Sequence, residues 1–441
     1  MSAGALVLTV FCAVSGGPYG LEETIASTGG GLGLLLILLI PLVWALPDAL
    51  TTAELAAAIP EEGGYVIWVR RAMGPLWSFV NGWWSWLYTL VDAALYPVLF
   101  TAYLSKLVVT LGGSDLLATS KGANWLFSVV VVVAFTALNV RGTRIVGRAS
   151  SLFAIVIVVP FLTLAGIGLF RYLGHPVPLH LTLRPPGGGM GGALASGLPL
   201  VMWNYLGWDA LSTIAAEVEN PERAYPRALF LGIPLVTLVY VLPVLAGLVF
   251  LPDPARWTEN GWPEIARAVA GDAMGIVINV VGLVSAVALF TASLLGSSRV
   301  PFVLAEARFL PRSLVELHPR FGTPWRALIL CGAVYAVLVY QSFQKLVELN
   351  VVLYAAALVL ELAALLVLRR KEPELPRPYR IPGGWPVLWV VFLMPVAVLA
   401  LLVGATLADE GWRAQGPTLA ALASGPIVYY AVKAWQCRFS F

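Results

Sequence analysis

The stretch that decides the reading is apolar from Ala5 to Val14, breaks at Ser15-Gly16-Gly17-Pro18-Tyr19-Gly20, and resumes over Leu21–Thr28. Its flanks suit a membrane helix, but its centre cannot continue one cheaply, since a proline alone costs about 3 kcal/mol in a helix interior. In hydrocarbon the freed N–H and C=O groups find no water, so such a break survives only inside protein or beside a watery cavity. A softer interruption, Trp203-Asn204-Tyr205-Leu206-Gly207-Trp208-Asp209, sets polar residues at membrane depth much later in the chain.

The rest of the 441 residues is a matching environment. Hydrophobic residues make up 59% and charged residues 12% of the chain, against roughly 45–50% and about 25% in soluble domains. This is an all-α, polytopic membrane composition. A bilayer core about 30 Å thick takes roughly 20 apolar residues per helix. Twelve spans are expected, near 4–27, 30–57, 76–110, 122–140, 145–170, 193–217, 228–251, 271–298, 325–342, 345–368, 385–407 and 416–435. Span 1 is not read as a cleaved signal peptide, because it lacks a basic leader and is broken by glycine and proline.

Most of the 27 basic residues fall in the loops after even-numbered spans or at the tail; the exceptions are Lys106, Lys121, Arg171, Arg184, Arg256, Arg267, Lys345 and Arg413. The positive-inside bias then puts both termini in the cytoplasm, and the expected location is the plasma membrane.

The two interruptions head two five-span halves, so an odd count inverts one half relative to the other. The expected organisation is a first inverted repeat over 1–170 (helices 1–5), a second over 193–369 (helices 6–10), and helices 11–12 over 385–435. Interrupted segments at corresponding places in two halves are the best sequence pointer to a transporter's midplane binding site. The bland alternative is a pair of ordinary kinks, which membrane helices often carry; the paired placement argues against it.

Ionisable residues at membrane depth are costly and functional by default. The candidates are Glu22 and Glu23 after the first break, Asp92 in span 3, Asp209 at the second break, and Glu361 in span 10. The five lysines lie away from mid-span, so a cationic substrate or a proton would have to supply the missing charge. Trp84, Tyr88, Asp92 and Tyr96 follow i, i+4 spacing, which sets neighbours in the series on one face. Aromatic rings beside a carboxylate suit an alkylammonium through cation–π attraction of roughly 0.5–2 kcal/mol; Trp203 and Trp208 could serve Asp209 likewise. Interface anchoring or packing explains each aromatic equally well taken alone. Glu23 is read as facing outer water, and Glu361 is left without a role.

Several strings resemble the amino acid–polyamine–organocation transporter superfamily: Pro60-Glu61-Glu62-Gly63-Gly64-Tyr65, Arg70-Arg71, Gly74-Pro75 and Gly82-Trp83. Others are similar to polyamine uptake transporters of the plant and protozoan type. These are Ser15-Gly16-Gly17-Pro18 with Glu22, Asp92 with Ala94–Phe100, Trp208-Asp209, Glu217-Val218-Glu219-Asn220-Pro221, and Arg377-Pro378-Tyr379-Arg380.

The resemblance covers Ala5 to about Gly383 and implies a LeuT-type fold of five-plus-five inverted helices, with helices 1 and 6 broken. It also implies that Asp209 stands where arginine/agmatine antiporters carry a proton-sensing glutamate, and Trp203 where they carry a substrate-stacking aromatic. Span 5 lacks the lysine that some relatives use for proton coupling. The 112–124 loop has no cysteine, so no disulfide-linked heavy chain is expected.

The function expected from these residues is proton-coupled uptake of putrescine, spermidine or spermine, the alternative being an amino-acid transporter or exchanger of the same superfamily. Ser15, Gly16, Gly17, Tyr19, Glu22, Asp92, Tyr96, Trp203, Tyr205, Trp208 and Asp209 are the expected substrate contacts, with Asp209 and Glu22 the proton-coupling candidates. For an amino acid, the free N–H groups at the first break would bind the carboxylate, which Glu22 discourages.

The expected partners are a small cationic substrate, a coupling proton and the lipid bilayer. A net charge of +3 spread in short clusters gives no reason to expect nucleic acid. Cys12, Cys331 and Cys437 lie far apart and His175, His180 and His318 fall in loops, so no metal, cofactor or enzymatic chemistry is expected. Glu217 and Glu219 read as a helix stop and gate at the cytoplasmic end of span 6, and Glu54 as part of a cytoplasmic salt-bridge network.

Overall fold

A computed structural model describes residues 11, 14–141, 146–179, 181–187, 189–210, 212, 221–306, 311–413 and 415–439. Every regular element among them is helical. In chain order the helices used below are α1 (Leu21–Thr28), α2 (Gly30–Ala58), α3 (Tyr65–Met73), α4 (Pro75–Thr110), α5 (Lys121–Val140), α6 (Val146–Gly174) and α7 (Met190–Trp203). They continue as α8 (Pro221–Phe250), α9 (Trp262–Ala270), α10 (Asp272–Glu306), α11 (Trp325–Leu338), α12 (Phe343–Lys371), α13 (Gly384–Glu410) and α14 (Gly416–Phe439).

Eight helices among the described residues are long and apolar enough to cross a membrane: α2, α4, α5, α6, α8, α10, α12 and α13. Their ends fall within a few residues of the expected spans, apart from α8, which starts earlier, and α10, which runs on to Glu306. α7 and α11 are apolar but shorter, at 14 residues each. The opening of span 1 before Phe11, the Glu217–Asn220 string and His180 lie outside the described residues.

Sequence hydropathy missed two helices, α3 and α9, which are amphipathic. α3 buries Trp68, Val69 and Ala72 and exposes Arg70 and Arg71. α13 shows the opposite pattern: Trp385, Trp389, Val390, Leu393 and Leu401 are all exposed. A row of large apolar side chains on a long helix is a lipid-facing surface, since no soluble surface keeps such a patch without a partner.

The chain divides into two compact units, one of residues 1–85, 179–245 and 351–441, the other of 86–178 and 246–350. In the second unit small residues let helices approach closely, as membrane packing requires. A Cβ on Gly282 of α10 would meet the Tyr103 ring of α4 at 2.8 Å, and one on Gly332 of α11 would meet Thr136 of α5 at 2.9 Å. Ser297 and Tyr335 join α10 to α11 by a hydroxyl–hydroxyl bond.

The first unit is tied at one end by a buried ion cluster. The Glu54 carboxylate of α2 accepts from Arg369 Nε at 2.6 Å and from the Ile381 N–H at 2.9 Å, and Arg377 Nε stands 3.2 Å away. The side chains of Glu54 and Arg369 are 0% and 4% exposed. Burial of Arg377 lowers its guanidinium from its usual value, an effect Glu54 opposes. One carboxylate thus answers two guanidinium groups, and its loss strands both.

Nearby, Arg71 of α3 grips Glu372 with two hydrogen bonds of 2.9 and 2.7 Å. Those bonds favour the ionised form and hold the Glu372 carboxyl below its usual value of 4.5. A depressed carboxyl stabilises the fold above its unfolded value and loses that contribution as pH falls through the folded one. Because both groups are partly exposed, the pair is worth at most about 1 kcal/mol.

Removing one partner of a buried pair costs about 3–5 kcal/mol. Glu54→Ala is therefore expected to lower the apparent melting temperature of the purified protein sharply, and Glu372→Ala only slightly. Equal small shifts for both variants would show that the Glu54 cluster is not a structural tie.

Candidate functional site

The first break is built by glycine. Ser15 closes the preceding turn by donating its N–H to Phe11 O at 2.8 Å. Gly17 (φ 106°) and Gly20 (φ 83°) then take left-handed backbone conformations that an L side chain resists. α1 restarts with Leu21 N–H on Pro18 O and Thr24 N–H on Gly20 O. It packs on α7, where Thr24 Oγ1 donates to Gly197 O at 3.3 Å. A Cβ on Gly197 would stand 2.6 Å from Thr28 Cγ2, which requires glycine there.

The second break follows Trp203. Asn204 and Tyr205 turn, Gly207 sits at φ 93°, and Trp208 and Asp209 bend. Asn204 Nδ2 donates to Leu200 O at 2.9 Å and to Tyr19 O at 3.0 Å, so one amide serves carbonyls of both breaks. Tyr205 Oη donates to Ile37 O at 3.0 Å. That carbonyl needs a donor because its helical partner would be Pro41, which has no N–H; a π-helical turn over Pro41–Ala45 begins at the same proline. Trp208 Nε1 donates to Tyr205 O at 3.0 Å. Side chains therefore replace the lost helical hydrogen bonds, as a broken backbone in hydrocarbon demands.

Asp209 of the bend and Asp48 of α2 meet at Tyr354 of α12. Tyr354 Oη lies 2.7 Å from Asp209 Oδ1 and 2.6 Å from Asp48 Oδ2, and it accepts the Gly207 N–H at 3.1 Å. Thr52 Oγ1 donates to Asp48 Oδ1 at 3.4 Å. Two helical turns along α12, Glu361 accepts from Asn81 Nδ2 at 3.4 Å, and it interacts electrostatically with both aspartates. Asp48, Asp209 and Glu361 are 0%, 2% and 2% exposed. Among the described residues no lysine, arginine or histidine forms an ion pair with any of them.

Of the residues singled out from sequence, Ser15, Tyr19, Glu22, Tyr205, Trp208 and Asp209 are buried in the first unit, with Gly16 and Trp203 partly exposed and Gly17 buried. Glu22 lies in the first turn of α1 at 1% exposure, whereas Glu23 beside it is half-buried. In the second unit Tyr96 Oη donates to Asp92 Oδ2 at 2.8 Å, the contact that i, i+4 spacing predicts. Trp84, expected on the same face, instead donates its Nε1 to Leu422 O of α14 at 2.9 Å and belongs to the first unit.

Sequence reasoning missed Asp48, Tyr354 and Asn81. Asp48 was detectable as an acid within the 30–57 span. A lone tyrosine gives no such signal.

A model of the amino acid permease family matches residues 7–421. The chain belongs to that family. The polyamine transporter PUT1 of Oryza sativa subsp. japonica is 33% identical over 445 aligned positions, covering 99% of this chain and 79% of that protein. The polyamine transporter RMV1 of Arabidopsis thaliana is 34% identical over 97% of this chain and 84% of its own length. The serine/threonine exchanger SteT of Bacillus subtilis is more distant, at 26% identity over 89% of this chain and 86% of its own length. The permease is accordingly a multi-pass membrane transporter and not an enzyme.

The Asn204 amide is 4% exposed and holds two carbonyls. Leaving buried polar groups unsatisfied costs about 1–3 kcal/mol, so Asn204→Leu is expected to lower thermal stability and reduce transport. Unchanged stability and transport would remove Asn204 as the link between the breaks.

Proposed function

We propose that the permease is a secondary active transporter that takes up putrescine, spermidine or spermine with protons across the plasma membrane. The observation that carries this reading is the buried Asp48–Tyr354–Asp209 arrangement beside the second break, with Glu361 next to it and no basic partner among the described residues. Three carboxyls removed from water need positive charge, and a primary or secondary ammonium would supply it. Polyamine transporters among the relatives support the same substrate class.

In this reading Asp209 pairs with an ammonium, Trp203 offers its half-exposed ring to the alkyl chain, and backbone groups at Ser15–Gly17 and Tyr19 line the first break. Tyr205 and Trp208, buried and bound to backbone carbonyls, set the shape of the second break. Glu22 supplies a further carboxylate and, with Asp209, a proton-coupling group. Asp92 with Tyr96 is a proposed cation contact within its own unit.

An amino acid is the weaker reading, although a serine/threonine exchanger is among the relatives. Its carboxylate would seek the positive end of α1, where the protein already sets a buried acid, Glu22.

Twelve spans, both termini cytoplasmic and a five-plus-five inverted repeat complete the proposal. The way the units divide the spans supports the repeat: spans 1 and 2 share a unit with 6 and most of 7, while most of span 3 and spans 4 and 5 share one with 8 and 9. Span 10 departs from this pattern by joining the first unit.

Radiolabelled spermidine uptake into proteoliposomes is expected to rise with an inward proton gradient. Asp209→Asn is expected to abolish it at unchanged expression. Normal uptake by Asp209→Asn would remove that residue from the site, and competition by arginine or leucine would favour the amino-acid reading.

A further inference from the structure

We propose that Asp48, Tyr354 and Glu361 form with Asp209 a buried proton-holding site, in which Asp48 is the carboxyl that carries the proton. This deepens the proton-coupled reading and rests on it for its role in transport.

Tyr354 Oη has one hydrogen and two lone pairs. Its two carboxyl contacts, at 2.6 and 2.7 Å, are both of short O–H···O length. The Gly207 N–H occupies a lone pair of the same oxygen. The phenol hydrogen serves one carboxylate only. The second contact would otherwise press acceptor against acceptor, so it needs a hydrogen of its own, and one aspartate is a carboxylic acid that donates to Tyr354.

The surroundings decide which aspartate it is. Asp209 lies in the bend after α7, where the backbone N–H groups of Asp209 and Ala210 face its own carboxyl. Such donors suit an anion. Among the described residues Asp48 has no backbone donor of this kind; besides Tyr354 its hydrogen-bond partner there is the Thr52 hydroxyl, at 3.4 Å. The acid is therefore Asp48 and the anion Asp209, which leaves Asp209 charged for an ammonium.

Glu361 is a second, independent indication. Its side chain is 2% exposed, its Oε2 has no hydrogen-bond partner among the described residues, and the charges of Asp209 and Asp48 act on it. An orphaned carboxyl oxygen beside an acidic pair is a place for a proton to go. When Asp48 gives up its proton, the O–H bond breaks there and one forms at Glu361 Oε2, the negative charge passes from Glu361 to Asp48, and the Asp48–Tyr354 contact, left without a hydrogen of its own, opens. The balance needs no other reactant. Among the described residues α2 supplies Asp48 and Thr52, α4 Asn81, the bend Asp209, and α12 Tyr354 and Glu361. Arg369 and Arg377, two of the basic residues further along the chain from Glu361, are engaged with Glu54.

Infrared difference spectroscopy on the purified full-length permease tests the site without any substrate. Wild-type protein at neutral pH should show the carbonyl stretch of a protonated carboxylic acid, lost in Asp48→Asn and shifted in Tyr354→Phe. The same band in Asp48→Asn would overturn the assignment. If that variant does not fold, an unshifted band in Tyr354→Phe would overturn the bridge.

Proteoliposomes then test the role. Asp48→Asn and Glu361→Gln should lose the stimulation of spermidine uptake by an inward proton gradient, with counterflow exchange reduced less. Full stimulation in both variants would overturn it. A wild-type protein that shows the Asp48 band but carries no spermidine would support the proton site and defeat the polyamine reading alone.

Discussion

The constraint on which the first unit turns is the removal of carboxylates from water with no basic side chain among the described residues to answer them. Asp48, Asp209 and Glu361 are all but inaccessible and share one neighbourhood. Charge buried in this way is tolerated only if something neutralises it. The contrast with Glu54 on the same helix α2 is instructive: there Arg369, Arg377 and a backbone N–H answer a single carboxylate, and the result is a structural tie. Six residues earlier the helix carries an acid whose only described partners are hydroxyl groups. One end of α2 holds the unit together, and in the proposed function the stretch around Asp48 holds a position open for positive charge.

The broken backbone explains how that position is reached. A continuous helix would bury its peptide groups and leave only side chains to contact a ligand. The turns at Ser15–Gly20 and Asn204–Asp209 bring polar backbone to membrane depth, and Asn204, Tyr205 and Trp208 absorb the freed carbonyls. Gly207 is a second point of contact, besides Asp209, between the second break and the acidic cluster, since its N–H donates to Tyr354 Oη. A movement of that backbone would alter the hydroxyl that joins Asp48 to Asp209, so in the proposed mechanism one hydrogen bond links conformational change to protonation.

Much of this was legible in the sequence because the chemistry is coarse. Glycine and proline in a hydrophobic run mark a break, and the α7 end at Trp203 falls where polar residues interrupt span 6. Long apolar runs mark spans within a few residues. What escaped was finer. α3 and α9 are amphipathic and short, so hydropathy took them for loops. Trp84 has the right spacing from Asp92, but its indole N–H found a carbonyl on α14 instead. Asp48 was hidden by an apolar span that was read as a unit. Tyr354 and Glu361 lie on one face of α12, yet periodicity alone cannot say what that face meets.

The central claim is that proton and cation share one buried acidic site. The most direct test is the pH inside proteoliposomes, followed with a trapped pH-sensitive dye when spermidine is added outside with no imposed gradient. The account predicts acidification of the lumen in step with spermidine entry. Entry of spermidine with no change in luminal pH would contradict it.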